Sequence, residues 1–334
     1  MKADYYVRRG SLSGFPQVVS RAGSDPCQLL QSVGLPADAL QSPDELMPVT
    51  TLVRLLNHTA QQPGLADIGL QLAQQQGPEI LGVLGRLLVS SKTLRQYFYA
   101  VQRYMVLHNQ AEHWRMQLHG DVLAIQRFEH CHTGLDARQY HELAMANCYR
   151  LTCLLGGEDI RPLRVEFAHS PLHPQRVYRQ FFAAGVLFDQ EQDQLLLERQ
   201  LLERPLPARA AADISEEVVQ RLLRDYPDNL PQQVATLVLQ SMGTQQHSLQ
   251  HIAGLMGLHP RALQRRLELE GVIFKQLVND VRSRMACWYL TSSAMDITLL
   301  SVALGYSDVS AFSRAFCRWH GCSPRQWRQQ HRRG

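Results

Sequence analysis

The sequence predicts an α+β N-terminal portion followed by an all-α C-terminal portion in which two helix-turn-helix units are joined by a long helix. Three observations carry that prediction. A helix-glycine-helix frame occurs twice near the C-terminus, its turn glycines Gly257 and Gly305 lying 48 residues apart. A single amphipathic segment separates the two copies. Upstream of both, helical periodicity is mixed with alternating, strand-like runs.

The first copy begins at Ser248, with Ala253 four residues before Gly257 and Leu263 six after it. His259-Pro260 opens its second helix with proline in the first turn, where the missing N–H costs nothing, and Gly271 closes it. The second copy begins at Asp296, with Ser301 four residues before Gly305 and Phe312 seven after it, so its turn is expected to be one residue longer. Asp296 is placed to cap its first helix, Ser307 or Asp308 its second, and Gly321 to end it; Ser323-Pro324 then opens a last short helix. Between the copies, Phe274, Leu277, Val278, Val281, Met285 and Tyr289 recur at steps of three and four. A helix of about 19 residues spans roughly 28 Å, close to the ~34 Å between successive major grooves on one face of DNA.

The faces left over define the chemistry. Burial of Leu263 and Leu267 leaves Arg261, Gln264 and Arg265 outward, and burial of Phe312, Phe316 and Trp319 leaves Ser310, Ser313 and Arg314. Arginine suits guanine O6 and N7, glutamine suits adenine N6 and N7, and the serines make the second face the poorer reader. Arg266, Lys275, Arg282, Arg318 and Arg325 are candidates for phosphate contacts, which set register without reading bases. An arginine-rich helical face is also compatible with simple solvation. Charge favours the first reading: residues 246–334 hold 12 Arg and Lys against 5 Asp and Glu, whereas residues 1–245 hold 22 against 25. A basic end on a mildly acidic body points to a polyanionic partner for that end alone.

The strings RALQRRLELEG, from Arg261, and LGYSDVSAFSRAFCRWHGCSPRQWR, from Leu304 to Arg328, resemble the DNA-binding domain of the AraC/XylS family of bacterial transcription regulators. The resemblance implies two helix-turn-helix units joined by a long helix, with base-reading positions at Arg261, Gln264, Arg265, Ser310, Ser313 and Arg314. It also implies promoter or operator DNA as partner, a homodimer, contact with RNA polymerase and a role as activator. Val309, Ser301 and Trp327 depart from the usual family residues, which leaves the base preference of the second unit open.

The N-terminal portion is punctuated from Phe15 to about Leu107 by Gly34-Leu35-Pro36, Ser42-Pro43, Pro48, Gly64 and Gly77-Pro78, with helical periodicity over 50–57, 65–74 and 90–104. HWRMQLH and VLAIQRFE flank Gly120-Asp121, a hairpin signature. A long helix is expected from Leu135 to Leu155, ending at Gly156-Gly157, and LRVEFAHS, VLFDQ and QLLLER look like further strands. The strings from Leu29, Leu81 and Arg161 resemble the arabinose-binding-like effector and dimerisation domain of the same family. That resemblance implies a small-molecule effector, with a pocket sought between the sheet and the 135–155 helix near Phe128, Tyr140, Tyr149 and Phe167; the same aromatics also fit an ordinary core. An effector-independent dimerisation module is the competing reading.

The domain boundaries expected are 1–203 for the α+β domain, 204–230 for a linker with a short helix, and 231–334 for the DNA-binding domain, with its units at about 248–271 and 296–321 and the joining helix at 274–292. MKADYYVRRG lacks a signal-peptide core and Arg86 interrupts the longest apolar run, so a cytoplasmic protein without membrane association is expected. Seven cysteines without a CxxC pair fit reduced thiols, a reactive sensor thiol being the sharper alternative. Histidines 108, 113, 119, 130, 132 and 141 cluster around the hairpin in no standard zinc spacing. No HExxH, GxSxG, GxGxxG or phosphate loop is present, so neither an enzyme, a metal nor a cofactor is expected.

Overall fold

A computed structural model describes residues 5–129, 134–207, 230–242, 247–256, 258–292 and 295–331. His130, Cys131, His132, the short helix expected at ISEEVVQRLLRDY and the turn residue Gly257 lie outside the described residues. The chain divides into two compact units, Met1–Asp189 with Asp193–Asp213, and Gln190–Gln192 with Ile214–Gly334.

The first unit opens with β1 (Tyr6–Arg8), followed by α1 (Phe15–Arg21) and α2 (Pro26–Ser32). Asp25 caps α2 by accepting from the Cys27 amide at 2.8 Å, and Pro26 stands at its first turn. β2 (Leu46–Pro48) pairs antiparallel with β1 and feeds α3 (Val49–Ala60), whose Leu52, Val53, Leu55 and Leu56 are buried. Then come α4 (Ile68–Gln75), α5 (Val83–Val89) and α6 (Leu94–Tyr104). The helix expected from Ser90 begins instead at Leu94, because the Thr93 hydroxyl accepts from the Gln96 amide and caps it there.

The hairpin forms as expected, β3 (Glu112–His119) pairing with β4 (Val122–Glu129) around Gly120, whose φ of +59° suits glycine. The long helix α7 (Arg138–Gly156) starts three residues later than expected and ends at Gly157, φ +121°. β5 (Arg164–Glu166), α8 (Gln175–Phe182), β6 (Val186–Leu187) and β7 (Asp193–Glu198) complete a five-stranded sheet in the order β3-β4-β7-β5-β6. Its ladders are antiparallel except for β5 with β6. Helix α7 packs on α4 and on β7. At Gly69 of α4 an added Cβ would meet the Gln139 carbonyl oxygen at 2.4 Å, so this helix pair depends on glycine for its approach.

The second unit consists, among the described residues, of α9 (Leu230–Met242), α10 (Leu249–Leu255), α11 (Pro260–Leu269), α12 (Phe274–Ser292), α13 (Ile297–Ala303), α14 (Val309–His320) and α15 (Pro324–His331). α12 packs against α9, α14 and α15. It buries Leu277, Val278, Val281, Met285, Tyr289 and Leu290, while Phe274 at its start is only half-buried.

Candidate nucleic-acid interface and effector cavity

Each helix-turn-helix unit is set by its caps. Ser248 accepts from the His251 amide at 3.1 Å to start α10, and the His259 ring accepts from the Arg261 amide at 3.3 Å to start α11. In the second unit Asp296 accepts from Thr298 N at 2.7 Å, and Asp308, rather than Ser307, accepts from Ala311 N at 2.7 Å. The connection from α13 to α14 is one residue longer than that from α10 to α11, and Gly305 adopts a φ of +73° within it. An alanine Cβ there would also approach the His247 ring to 2.8 Å.

Leu263 and Leu267 are fully buried, and α11 turns Arg261, Gln264, Arg265 and Arg266 to solvent. The Gln264 side-chain amide donates to Glu268 at 3.1 Å along the same face. In α14 the buried stripe is Phe312, Ala315 and Phe316, with Trp319 half-buried against Phe316. Ser310, Arg314 and Arg318 are exposed, whereas Ser313 is partly covered. Lys275 and Arg325 are exposed at the starts of α12 and α15.

Arg282 departs from its expected role. Its guanidinium donates to the carbonyls of Leu304 at 3.0 Å and Gly305 at 3.2 Å, lies 2.7 Å from His247 Nε2, and stacks 4.5 Å above the Tyr306 ring. Burial, and then the Arg282 charge, push the His247 pKa down, so the ring accepts as neutral imidazole. Arg282 therefore ties the joining helix to the turn of the second unit and to the residue just before the first, a role that spacing alone did not reveal. Replacing it with alanine is expected to weaken DNA binding about tenfold, roughly 1.4 kcal/mol, while leaving the base preference of each half unchanged. Binding selections on randomised DNA check this; loss of preference in one half alone would contradict it.

In the first unit the expected pocket residues separate. Strand alternation puts Phe128 on one face with His113, its cross-strand partner, the rings stacked at 4.7 Å. Arg127 and Asp193 pair on the other face, and with them Glu112 and Glu129. Tyr149 packs on Phe181 and Phe182, and Phe167 on Phe182, Tyr178 and Phe188, so these two belong to the core between α7, α8 and the sheet. Tyr140 alone of the four lines a cavity, of about 60 Å³, enclosed by α3, α5, α6, α7 and the start of β3. Leu52, Leu81, Tyr97, Met105, Leu143 and Leu151 supply much of its apolar wall.

One end of that wall is held by a buried ionic cluster. Arg127 donates to Glu112 at 2.7 Å and Asp193 at 3.0 Å, with Glu129 at 3.4 Å, and its guanidinium lies 4.9 Å from the Tyr140 ring. Tyr140 Oη accepts from Asn109 at 2.7 Å and donates to Glu112 at 3.1 Å; Trp114 Nε1 donates to Glu112 at 3.2 Å. Burial would raise the Glu129 and Asp193 pKa values, but His141 and Arg127 overcome it and hold both below the ordinary carboxyl range.

His108, also on the cavity wall, is pushed down from 6.5 to about 3 by burial and then by the Arg8 charge, so it is neutral in the fold. The unfolded chain takes up this proton below about pH 6.5 and the folded one does not, so stability is lost as pH falls from about 6.5 toward 3. The slope is about 1.4 kcal/mol per pH unit for one proton. Urea unfolding at pH 7, 6 and 5 is expected to show His108→Gln flattening the dependence by that one proton; an unchanged slope would contradict it.

Two helix-turn-helix units on a shared helix, each with an outward basic or polar face, define a DNA-binding protein of the tandem helix-turn-helix class. Comparison with known proteins supplies the family. Residues 23–206 match the arabinose-binding domain of AraC transcription regulator, N-terminal, and residues 252–330 match a helix-turn-helix domain. The HTH-type transcriptional regulator VirS of Mycobacterium tuberculosis is 29% identical over 98% of this chain and 98% of its own length. The ornithine utilization regulator of Pseudomonas aeruginosa is 27% identical over 93% of each. The crystal structure of the transcriptional regulator CdpR from Pseudomonas aeruginosa covers 90% of this chain and 97% of its own, at 20% identity and a TM-score of 0.43. The chain belongs to the AraC family: it is a DNA-binding transcriptional regulator with an arabinose-binding-like effector domain. No helix among the described residues is long and apolar enough to cross a membrane.

Proposed function

We propose that this regulator reads promoter or operator DNA through two adjacent major grooves, and that a small molecule held in the first unit switches it. Arg261, Gln264 and Arg265 read bases in one groove and Ser310, Ser313 and Arg314 in the next, while Arg266, Lys275, Arg318 and Arg325 fix register on phosphates. The observation that carries the reading is α12, a helix of 19 residues that packs on α14 of the second helix-turn-helix unit and on α9, which in turn packs on both helices of the first. Such a rod is about 28 Å long.

The effector site in this reading is the cavity beside Tyr140, with proposed domains at 1–203 and 231–334. The ligand switches activity only by favouring one arrangement of the protein over another, since equal affinity for both shifts nothing. We further read the protein as a cytoplasmic, non-enzymatic activator that acts as a homodimer and touches RNA polymerase. Thermal-shift screening of the full chain tests effector control, because a ligand at about 100 times its dissociation constant stabilises its domain by about 2.7 kcal/mol. A bound ligand that leaves DNA affinity unchanged would favour the effector-independent reading.

A further inference from the structure

We propose that the cavity of the first unit takes a compact, uncharged, mainly apolar molecule with a single hydroxyl or amide N–H, which meets Asn147 Oδ1 and His108. The proposal rests on the reading of this cavity as the effector site. It follows from matching the polar atoms of the wall against their partners. Glu112 is the single charged side chain in the lining. Both of its oxygens are already engaged, Oε1 by Trp114 and Oε2 by Arg127 and Tyr140. Asn109 is engaged as well, donating to Tyr140 and accepting from the Ala111 amide at 2.9 Å.

Two polar atoms of the lining remain without a well-formed hydrogen bond although buried: Oδ1 of Asn147, whose amide nitrogen donates to Gln76 at 2.7 Å, and Nδ1 of His108, whose Nε2 lies 3.3 Å from Ser11 Oγ and whose ring otherwise has only the Ile80 carbonyl nearby as a partner. His108 is only 7% exposed. Buried polar atoms are ordinarily satisfied, so a pair left open in an apolar cavity marks where a ligand's polar group sits. Asn147 Oδ1 can only accept, which asks the ligand for a donor. A carboxylate would enter without a cation to meet it, and an ammonium would face a Glu112 already compensated by Arg127, so either charge loses its hydration without a matching gain.

Ligand-observed NMR on the full chain, with butan-1-ol, butyrate and butylammonium as probes of one size, separates these chemistries. Butan-1-ol is expected to bind, and the two ions to give no signal. His108→Leu should weaken the alcohol about tenfold, and Ala144→Leu, which fills the cavity, should abolish its binding. If Ala144→Leu fails to fold, the His108→Leu arm still decides. Binding of butyrate or butylammonium with the alcohol silent would overturn the uncharged class and leave the cavity as an effector site. Silence of all three probes, or butan-1-ol binding that neither variant alters, would overturn occupancy of this cavity altogether.

Discussion

Replacing Arg127 with methionine is expected to destabilise the first unit by about 3–5 kcal/mol, seen as a lower urea midpoint. The guanidinium is the shared partner of Glu112, Glu129 and Asp193, and all four side chains are at most 5% exposed. Strand register puts them together: Arg127 lies opposite Asp193 on β7, and Glu129 opposite Glu112 on β3. Removing the cation leaves buried carboxylates whose mutual repulsion and lost hydration are offset only in part by His141 beside Glu129 and Asp193, and otherwise by protonation. The deficit should therefore shrink as pH falls and the carboxylates take up protons. Combining Arg127→Met with Glu112→Gln and Asp193→Asn should recover part of the loss. A midpoint unchanged by the single substitution would show that the cluster contributes nothing net. The same substitution takes one hydrogen-bond partner from Glu112 on the cavity wall, so ligand binding should change with stability.

In the second unit, Arg265→Ala is expected to weaken binding by about 1–3 kcal/mol and to relax preference at one or two base pairs, because a bidentate contact to guanine is lost. Arg318→Ala should weaken all sequences alike and reduce the dependence of affinity on salt, since a phosphate contact releases counterions without reading bases. Both side chains are exposed, Arg265 on the outer face of α11 and Arg318 in the last turn of α14, so neither substitution disturbs the core. Binding selections on randomised DNA, run at two salt concentrations, distinguish the two. The same loss of preference from both substitutions would mean that reader and anchor are wrongly sorted.

The C-terminal architecture was largely legible because its signals are local. A glycine turn, a capping side chain and apolar steps of three and four all lie within one helix or its neighbour, and α12 has the expected 19 residues. The hairpin of β3 and β4 was legible for the same reason. What escaped depends on residues far apart in the chain. β1 and β2 are three residues each and pair across some 40 positions, too short for periodicity to register. α8 begins just after Pro174 in a stretch whose histidines and prolines hide its period. Alternation shows that Phe128 and Arg127 face opposite ways, but not which face the helix α7 covers; Arg127 lies beside Tyr140 of that helix, and Phe128 stacks on His113 on the opposite face. Arg282 looked like any other cation of a basic domain until the turn carbonyls of Leu304 and Gly305 were placed beside it. The cavity itself is assembled from four helices and a strand, and only Tyr140 among its expected residues belongs to it.

Hydroxyl-radical footprinting of the full chain on a DNA site selected from random sequence tests the central claim most directly. Two protected blocks about one helical turn apart on a single face of the duplex are expected for each bound copy. Arg265→Ala should fade one block and Arg314→Ala the other. A single block, or the same base pairs lost in both variants, would contradict a regulator that inserts two helices into neighbouring grooves.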